Sequence, residues 1–303
     1  MLDVRKMLLL RELARLGTIA AVAQAHSYTP SAVSQQLSAL EREAGVALLR
    51  RSGRGVELTA AGSDLAERTG PVLRLLEETA SALAASRTEL TGELRIGAFP
   101  TAVRTVLPGA LVTLGVQHPK LELHVTELDP AAVPDALKAG LLDVALVHEY
   151  DYVPIAPDPA IDMQRLLAET IFLASATSVP AASADPVREC AELPWIVSTP
   201  GTLCHLMAIR MCQAAGFTPR IRHYADDFDA VLMLVAAGQG VAIVPELALP
   251  SPVSTVRLTR LAAERRSLIA CRAGAVDHPA IASCATALRS AAAAYLSGAR
   301  PSA

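Results

Sequence analysis

Residues 18 to 59 read T-I-A-A-V-A-Q-A-H-S-Y-T-P-S-A-V-S-Q-Q-L-S-A-L-E-R-E-A-G-V-A-L-L-R-R-S-G-R-G-V-E-L-T. Thr18 supplies a hydroxyl for the orphan N–H groups of a helix start, and Ala20, Ala21, Ala23 and Ala25 permit close helix crossing, so a short helix is expected to end near His26. Thr29 offers a second cap, and Pro30 suits the first helical position because its missing N–H would have no partner there. Val33, Leu37 and Leu40 then recur at i, i+4 and i+7 and face a core, while Ser31, Gln35, Ser38 and Arg42 line the other side. Gly45 ends this helix. Residues 46–51 and 56–59 form two short runs around Ser52, Gly53, Arg54 and Gly55, which predicts a hairpin with a basic tip.

Two capped helices, a tight connection and a hairpin carrying Arg50, Arg51 and Arg54 describe a winged helix-turn-helix. The outward face of the second helix lacks the Glu/Lys pairs of an ordinary solvated helix. Serine and glutamine donate to phosphates, and glutamine can pair bidentately with adenine in the major groove, so duplex DNA is the expected partner. The formal net charge of -3 conceals the asymmetry this partner requires. Residues 1–60 hold eight Lys/Arg against five Asp/Glu, residues 61–90 three against five, and the remainder 16 against 20. The positive potential sits at the front, where phosphates would lie.

The 303 residues allow about two domains, and 52% hydrophobic with 19% charged content supports buried cores rather than disorder. Five cysteines without paired short spacing indicate neither a disulfide framework nor a zinc module, which favours a reducing cytoplasm. The opening M-L-D-V-R-K-M-L-L-L-R-E-L has no signal-peptide core. The most apolar run, 231–249, is broken by Gly238, Gln239, Gly240, Pro245 and Glu246, so no membrane span is expected. The seven histidines lack metal-site partners in sequence, and no metal or cofactor is expected.

From residue 60 to about 87, Leu65, Val72, Leu76, Thr79 and Leu83 approximate a helical stripe capped by Thr59. A long connecting helix follows, whose apolar stripe would pack on a second copy of the chain. Strand patterns at 93–99, 121–127, 144–147, 171–174, 195–197, 221–224, 241–244 and 268–271 then interleave with helices at 103–117, 131–139, 203–215, 228–237 and 280–296, an α/β order. Pro154, Pro157 and Pro159 mark an expected crossing between two lobes.

These residues resemble the LysR-type transcriptional regulators. The likeness is carried by A-A-V-A-Q-A, by T-P-S-A-V-S-Q-Q-L-S-A-L-E-R-E-A-G-V-A-L-L-R-R, by G-R-G-V-E-L-T-A-A-G, by E-L-R-I-G-A, by G-L-L-D-V-A-L and by V-A-A-G-Q-G-V-A-I-V-P, in order along nearly the whole chain. The resemblance implies an α/β chain with an N-terminal all-α winged helix-turn-helix, a long linker helix and a two-lobed effector domain like a periplasmic binding protein. Its expected divisions are 1–59 for DNA binding, 60–90 for the linker and dimerisation helix, and 91–303 for the effector domain. Lobe 1 would comprise 91–161 and 268–303, and lobe 2 residues 162–267.

By that likeness the partners are promoter DNA, a small-molecule effector, a second copy through the linker helix with assembly to a homotetramer, and the transcription machinery. Thr29, Pro30, Ser31, Ser34, Gln35, Gln36, Arg51 and Arg54 are the implied DNA-contacting positions. Pro100, Thr101, Ala102, Glu127, His148, Thr199, Gly201, Thr202, Asp226, Asp227 and Phe228 are the implied effector positions. Helix starts after Thr101 and Thr202 suit an anionic group, and Asp226 and Asp227 add acceptors for an amine, so an amino-acid-like effector is an expectation.

Rival readings stay open. Some family members sense redox state through a cysteine pair, and Cys204 and Cys212 share an expected helix. Eight residues along a helix rise about 12 Å, well beyond the roughly 4.4–6.8 Å Cα spacing of a disulfide, so that helix would have to unfold. A two-lobed domain could also be an enzyme or a plain solute-binding protein. The chain holds no G-x-S-x-G, P-loop or G-x-G-x-x-G pattern, so no catalytic residue is assigned.

Overall fold

The computed structural model describes residues 1–53, 55–87, 89–176, 185–249 and 256–297. Helix α1 (Val4–Leu16) starts where the Asp3 carboxylate accepts from the N–H groups of Arg5 and Lys6, and ends at Gly17 in the left-handed region. Charges interrupt its apolar run, so the sequence pattern assigns it no element. Met7, Leu9, Leu10 and Leu13 nonetheless share one buried side, and Glu12, also buried, is held by Arg15 at 2.6 Å.

Helix α2 (Ile19–Ala25) is capped by Thr18, and α3 (Pro30–Ala44) by Thr29, whose hydroxyl accepts from the Ala32 N–H. Val33, Leu37 and Leu40 pack with Val22, Ala23 and Leu10. Strands β1 (Leu49–Ser52) and β2 (Gly55–Leu58) pair antiparallel, with Arg50 opposite Glu57. The Glu41 carboxylate accepts from the N–H groups of Leu48 and Leu49, which ties the end of α3 to the hairpin. Thr59 caps the 26-residue α4 (Ala60–Ala85) and donates to the Ala47 carbonyl.

Two lobes follow. Lobe 1 is built on β3 (Gly92–Ala98), α5 (Pro100–Arg104), α6 (Val106–Gln117), β4 (Leu121–Glu127), α7 (Val133–Lys138) and β5 (Val144–Tyr150). The chain continues through β6 (Ile161–Ser175), β7 (Pro194–Val197), α8 (Leu203–Ala214), β8 (Arg220–Tyr224), α9 (Phe228–Ala236), β9 (Ala242–Pro245), β10 (Arg257–Arg272) and α10 (Pro279–Leu296). One sheet runs β4-β3-β5-β10-β6-β9, with β3 parallel to both neighbours and β10 antiparallel to β5 and β6. The parallel β7-β8 pair lies beside it, joined through a Trp195–Val241 bridge.

The expected helix over 103–117 is divided at Thr105. Pro108 has no N–H to give to the carbonyl four residues earlier, so α6 starts afresh at Val106 and holds Pro108 in its first turn. The lobe crossing also differs from expectation. Two long antiparallel strands, β6 and β10, run through both lobes, so the expected divisions at 161/162 and 267/268 fall within or at the margin of unbroken strands. Leu167 packs in the lobe 1 core, whereas Ile171, Leu173, Leu261 and Ala263 pack in lobe 2. The β6–β10 ladder carries the chain between the lobes, with register shifts between Arg260 and Glu264 and between Ser267 and Leu268, and the segment with Pro154, Pro157 and Pro159 simply leads into β6.

One side of α4 rests on lobe 1 through Arg74–Asp162 at 3.0 Å and Arg272–Glu77 at 2.6 Å. Val72, Leu75, Leu76 and Leu83 remain exposed on it. Among the described residues no helix is long and apolar enough to cross a membrane.

Candidate functional site

Two surfaces follow from this architecture. On α3, Ser31, Ser34, Gln35 and Gln36 are exposed, as are Thr29 and Pro30 at its start. The buried stripe of Val33, Leu37 and Leu40 forces these polar residues outward by helical periodicity. The side chains of Ser34, Gln35 and Gln36 make no hydrogen bond among the described residues, so their donors and acceptors are open to a base edge or phosphate. Arg50 shares its charge with Glu57 across the hairpin at 2.7 Å. Arg51 is exposed and has no ion pair among the described residues. Arg54, the third expected wing cation, lies outside the described residues.

The second surface is a cavity of about 220 Å³ between the lobes. Lobe 1 contributes Phe99, Pro100, Thr101, Glu127, Leu128, Asp129, Pro130 and His148, lobe 2 contributes Ser198, Thr202, Cys204, Asp226 and Phe228, and Arg265 comes from the crossing strand β10. Seven of the expected positions thus meet there: Pro100, Thr101, Glu127, His148, Thr202, Asp226 and Phe228.

The other expected positions do not line it. Ala102 is buried in the lobe 1 core. Thr199 stands behind the wall, its N–H and hydroxyl donating to the Asp226 carboxylate at 2.8 and 2.7 Å. Gly201 has a φ of 99° and shapes the turn before α8. Asp227 caps α9 through the Ala230 N–H and pairs with Arg104 at 3.2 Å. Its side chain is committed to its own helix start, which is the usual fate of an acidic residue at that position.

Arg265 is the residue that sequence reading misses most completely. Within the run E-R-R-S it reads as surface charge, yet it is 1% exposed. Its Nε donates to Glu169 at 2.6 Å, its Nη2 donates to the Thr101 hydroxyl at 2.9 Å, and its guanidinium lies 5.0 Å from the Phe99 ring centroid. Burial works against the Arg265 charge, but the adjoining Glu169 carboxylate outweighs it and holds the pKa above its ordinary value. Arg265 therefore stays charged, with that charge answered inside the protein.

His148 sits between Phe99 and Tyr150, edge-on to both rings. Burial, with the Arg265 charge adding, drives its pKa well below the ordinary value, so the ring is neutral. Its Nε2 is 4.0 Å from the Cys204 sulfur, which the Tyr150 hydroxyl approaches at 3.2 Å. Nδ1 of His148 and the hydroxyl of Ser267, its register partner on β10, are buried without hydrogen-bond partners among the described residues. Asp129 is half-buried, and burial first, with the Asp226 charge adding, raises its pKa.

Residues 4–63 match the model of the bacterial regulatory helix-turn-helix protein, lysR family, and residues 87–293 match the LysR substrate binding domain. The chain belongs to the LysR family. It is a DNA-binding transcriptional regulator with an effector-binding domain. This LysR-type regulator is similar to a probable hydrogen peroxide-inducible genes activator of Streptomyces viridosporus, 32% identical over 302 residues that cover 92% of this chain and 94% of that protein. It is also similar to the HTH-type transcriptional regulator ClcR of Pseudomonas putida, 30% identical over 238 residues covering 76% of this chain and 78% of that one.

Among solved structures, the regulator resembles an H2O2-bound cysteine-to-serine mutant of Corynebacterium glutamicum OxyR, with a TM-score of 0.59 at 24% identity, covering 99% of this chain and 95% of that chain. Full-length CbnR complexed with its target DNA gives a TM-score of 0.53 at 23% identity, covering 96% and 100%. Both establish the LysR-type fold.

Within this LysR-type regulator the cysteines occupy unlike places. The Cys204 thiol lines the cavity, and burial raises its pKa. Cys212 is in the lobe 2 core, its thiol pushed up to about 12 by burial. On the outer face of lobe 1, Glu93, Glu122 and His124 bring three metal-ligand-type atoms within 4.8 Å of one another, all from exposed residues. Sequence spacing could not reveal that trio, because Glu93 comes from the strand alongside.

Proposed function

We propose that this regulator reads a promoter with α3 while the wing grips the phosphate backbone, and that a small molecule held between the lobes adjusts that grip. The DNA-contacting set is Thr29, Pro30, Ser31, Ser34, Gln35, Gln36, Arg51 and Arg54. The observation that carries the reading is the exposed polar face of α3, on which the side chains of Ser34, Gln35 and Gln36 have no hydrogen-bond partner among the described residues, beside Arg51, the one unpaired arginine described on the hairpin. The effector set is the seven expected cavity residues together with Phe99, Asp129, Ser198, Cys204 and Arg265.

Because both lobes wall the cavity, a ligand that touches both favours one lobe arrangement over others. Lobe 1 is tied to α4 by Arg74–Asp162 and Arg272–Glu77, which gives that arrangement a physical route to the DNA-binding domains. The exposed apolar side of α4 is assigned to a second copy of the chain, and dimers of dimers give the tetramer. This is a bacterial cytoplasmic role in which the transcription machinery is the downstream partner. Footprinting of the gene's own upstream region tests it. Protection of a dyad-symmetric site that weakens steeply with salt is the expected outcome, and no salt-sensitive retention of any duplex would refute the reading.

Redox control through Cys204 and Cys212 is a second reading, favoured by the position of the Cys204 thiol in the cavity wall and by the relative whose name refers to hydrogen peroxide. Peroxide treatment followed by thiol counting decides it. Loss of two thiols with altered DNA affinity supports a switch, and retention of all five thiols removes it.

A further inference from the structure

The charges around the interlobe cavity do not balance. Arg265 is the one cation among its lining residues, and its charge is answered by Glu169, which does not line the cavity. Glu127, Asp129 and Asp226 face the same space with no cation left for them among those residues. Asp129 comes from the turn just after β4 in lobe 1 and Asp226 from the approach to α9 in lobe 2, so the two carboxylates belong to opposite walls. Like charges around a small, partly desolvated space repel, and a bound cation would turn that repulsion into attraction between the lobes.

His148 supplies an independent observation. It lines the cavity, is 2% exposed, and carries a buried Nδ1 with no partner among the described residues. In the tautomer of the neutral imidazole that carries its proton on Nε2, Nδ1 is an acceptor, matched to an N–H donor. The Asp226 oxygens each accept one bond from Thr199, and a carboxylate oxygen can accept a second. Among the described residues the Asp129 carboxylate accepts only from the Ala131 N–H. Acceptors on both walls thus surround a space whose other lining includes Phe99, Leu128 and Phe228.

We propose that the cavity binds a small primary amine in its ammonium form, the cationic group held between Asp129 and Asp226 within reach of His148, and the hydrocarbon body against Phe99, Leu128 and Phe228. This rests on the effector reading above and names its ligand class. The volume of about 220 Å³ is below the roughly 300–1,000 Å³ of drug-sized sites, so the amine is small. Asp227, the acceptor that sequence reading pairs with Asp226, is replaced in this role by Asp129.

The test is calorimetry and thermal shift on the full-length protein with matched series that differ only at the polar group. One compares phenethylamine, 2-phenylethanol and 3-phenylpropionate, and another isopentylamine, isopentyl alcohol and 4-methylpentanoate. In at least one series the amine should bind about tenfold or more tightly than its alcohol and acid counterparts. Asp129→Asn and Asp226→Asn should each cost about tenfold in amine affinity, while Asp227→Asn, outside the cavity, should leave it unchanged. Equal binding of amine and alcohol, or preference for the acid, would overturn the amine assignment and leave effector control standing. No effect of any member of either series on melting temperature or DNA affinity would overturn both.

Discussion

At the scale of single residues, the two surfaces make opposite demands on polar groups. The side chain of Gln35, proposed to read a base edge, has no hydrogen-bond partner among the described residues, so its amide is free for one. Gln35→Ala is expected to cost about 1–3 kcal/mol on the preferred duplex and much less on random sequence, as measured by fluorescence anisotropy on both. Equal losses would remove its reading role. Arg265 is the reverse case, a charge that is tolerable only because Glu169 and Thr101 meet it. Arg265→Ala strands a buried carboxylate and should destabilise the protein by about 3–5 kcal/mol in urea unfolding. Asp129 gives a pH signature. Its carboxyl holds a proton more tightly folded than unfolded, so the stability it contributes is present in acid and is lost as pH rises through the folded value. Asp129→Asn should therefore raise the melting temperature near neutral pH and have little effect in acid.

At the scale of elements, the helix-turn-helix was legible residue by residue. The caps at Thr18, Thr29 and Thr59 and the stops near His26 and Gly45 are local chemistry, and the structure places each helix end accordingly. The long strands were not legible. β10 carries Arg257, Arg260, Arg265 and Arg266, which hide an alternation that only its neighbours β5 and β6 bring out. Charged positions within α1 concealed that helix for the same reason. Where α4 leaves the hairpin, a Cβ on Gly62 would sit 2.1 Å from the Leu48 carbonyl oxygen, so the helix and the base of the wing meet backbone to backbone. Gly62→Ala should destabilise by about 1–3 kcal/mol and weaken DNA binding by displacing the wing. Gly115→Ala, within α6 and with open space around it, should instead stabilise by up to about 1 kcal/mol. Thermal unfolding of the pair separates close approach from helix propensity.

At the scale of the whole molecule, the apolar side of α4 is the feature a single chain leaves unresolved. Leu75 and Leu83 are 63% and 68% exposed on a helix whose other side is docked. Leu75→Glu combined with Leu76→Glu should shift the protein toward monomer in sedimentation velocity and weaken binding to a two-half-site duplex far more than to one half-site; an unchanged sedimentation coefficient would exclude α4 as the interface. Sequence alone determined the order of parts, the outward face of α3 and the positions near most strand ends that reach the cavity, because capping, periodicity and turn chemistry act over a few neighbouring residues. Only tertiary structure decided which charges are spent and which are free. Arg265 meets Glu169 across 96 residues of chain and Thr101 across 164, and Asp129 comes to face Asp226 from the opposite lobe. Burial and Coulomb pairing depend on distance in space, and a linear sequence does not carry that distance.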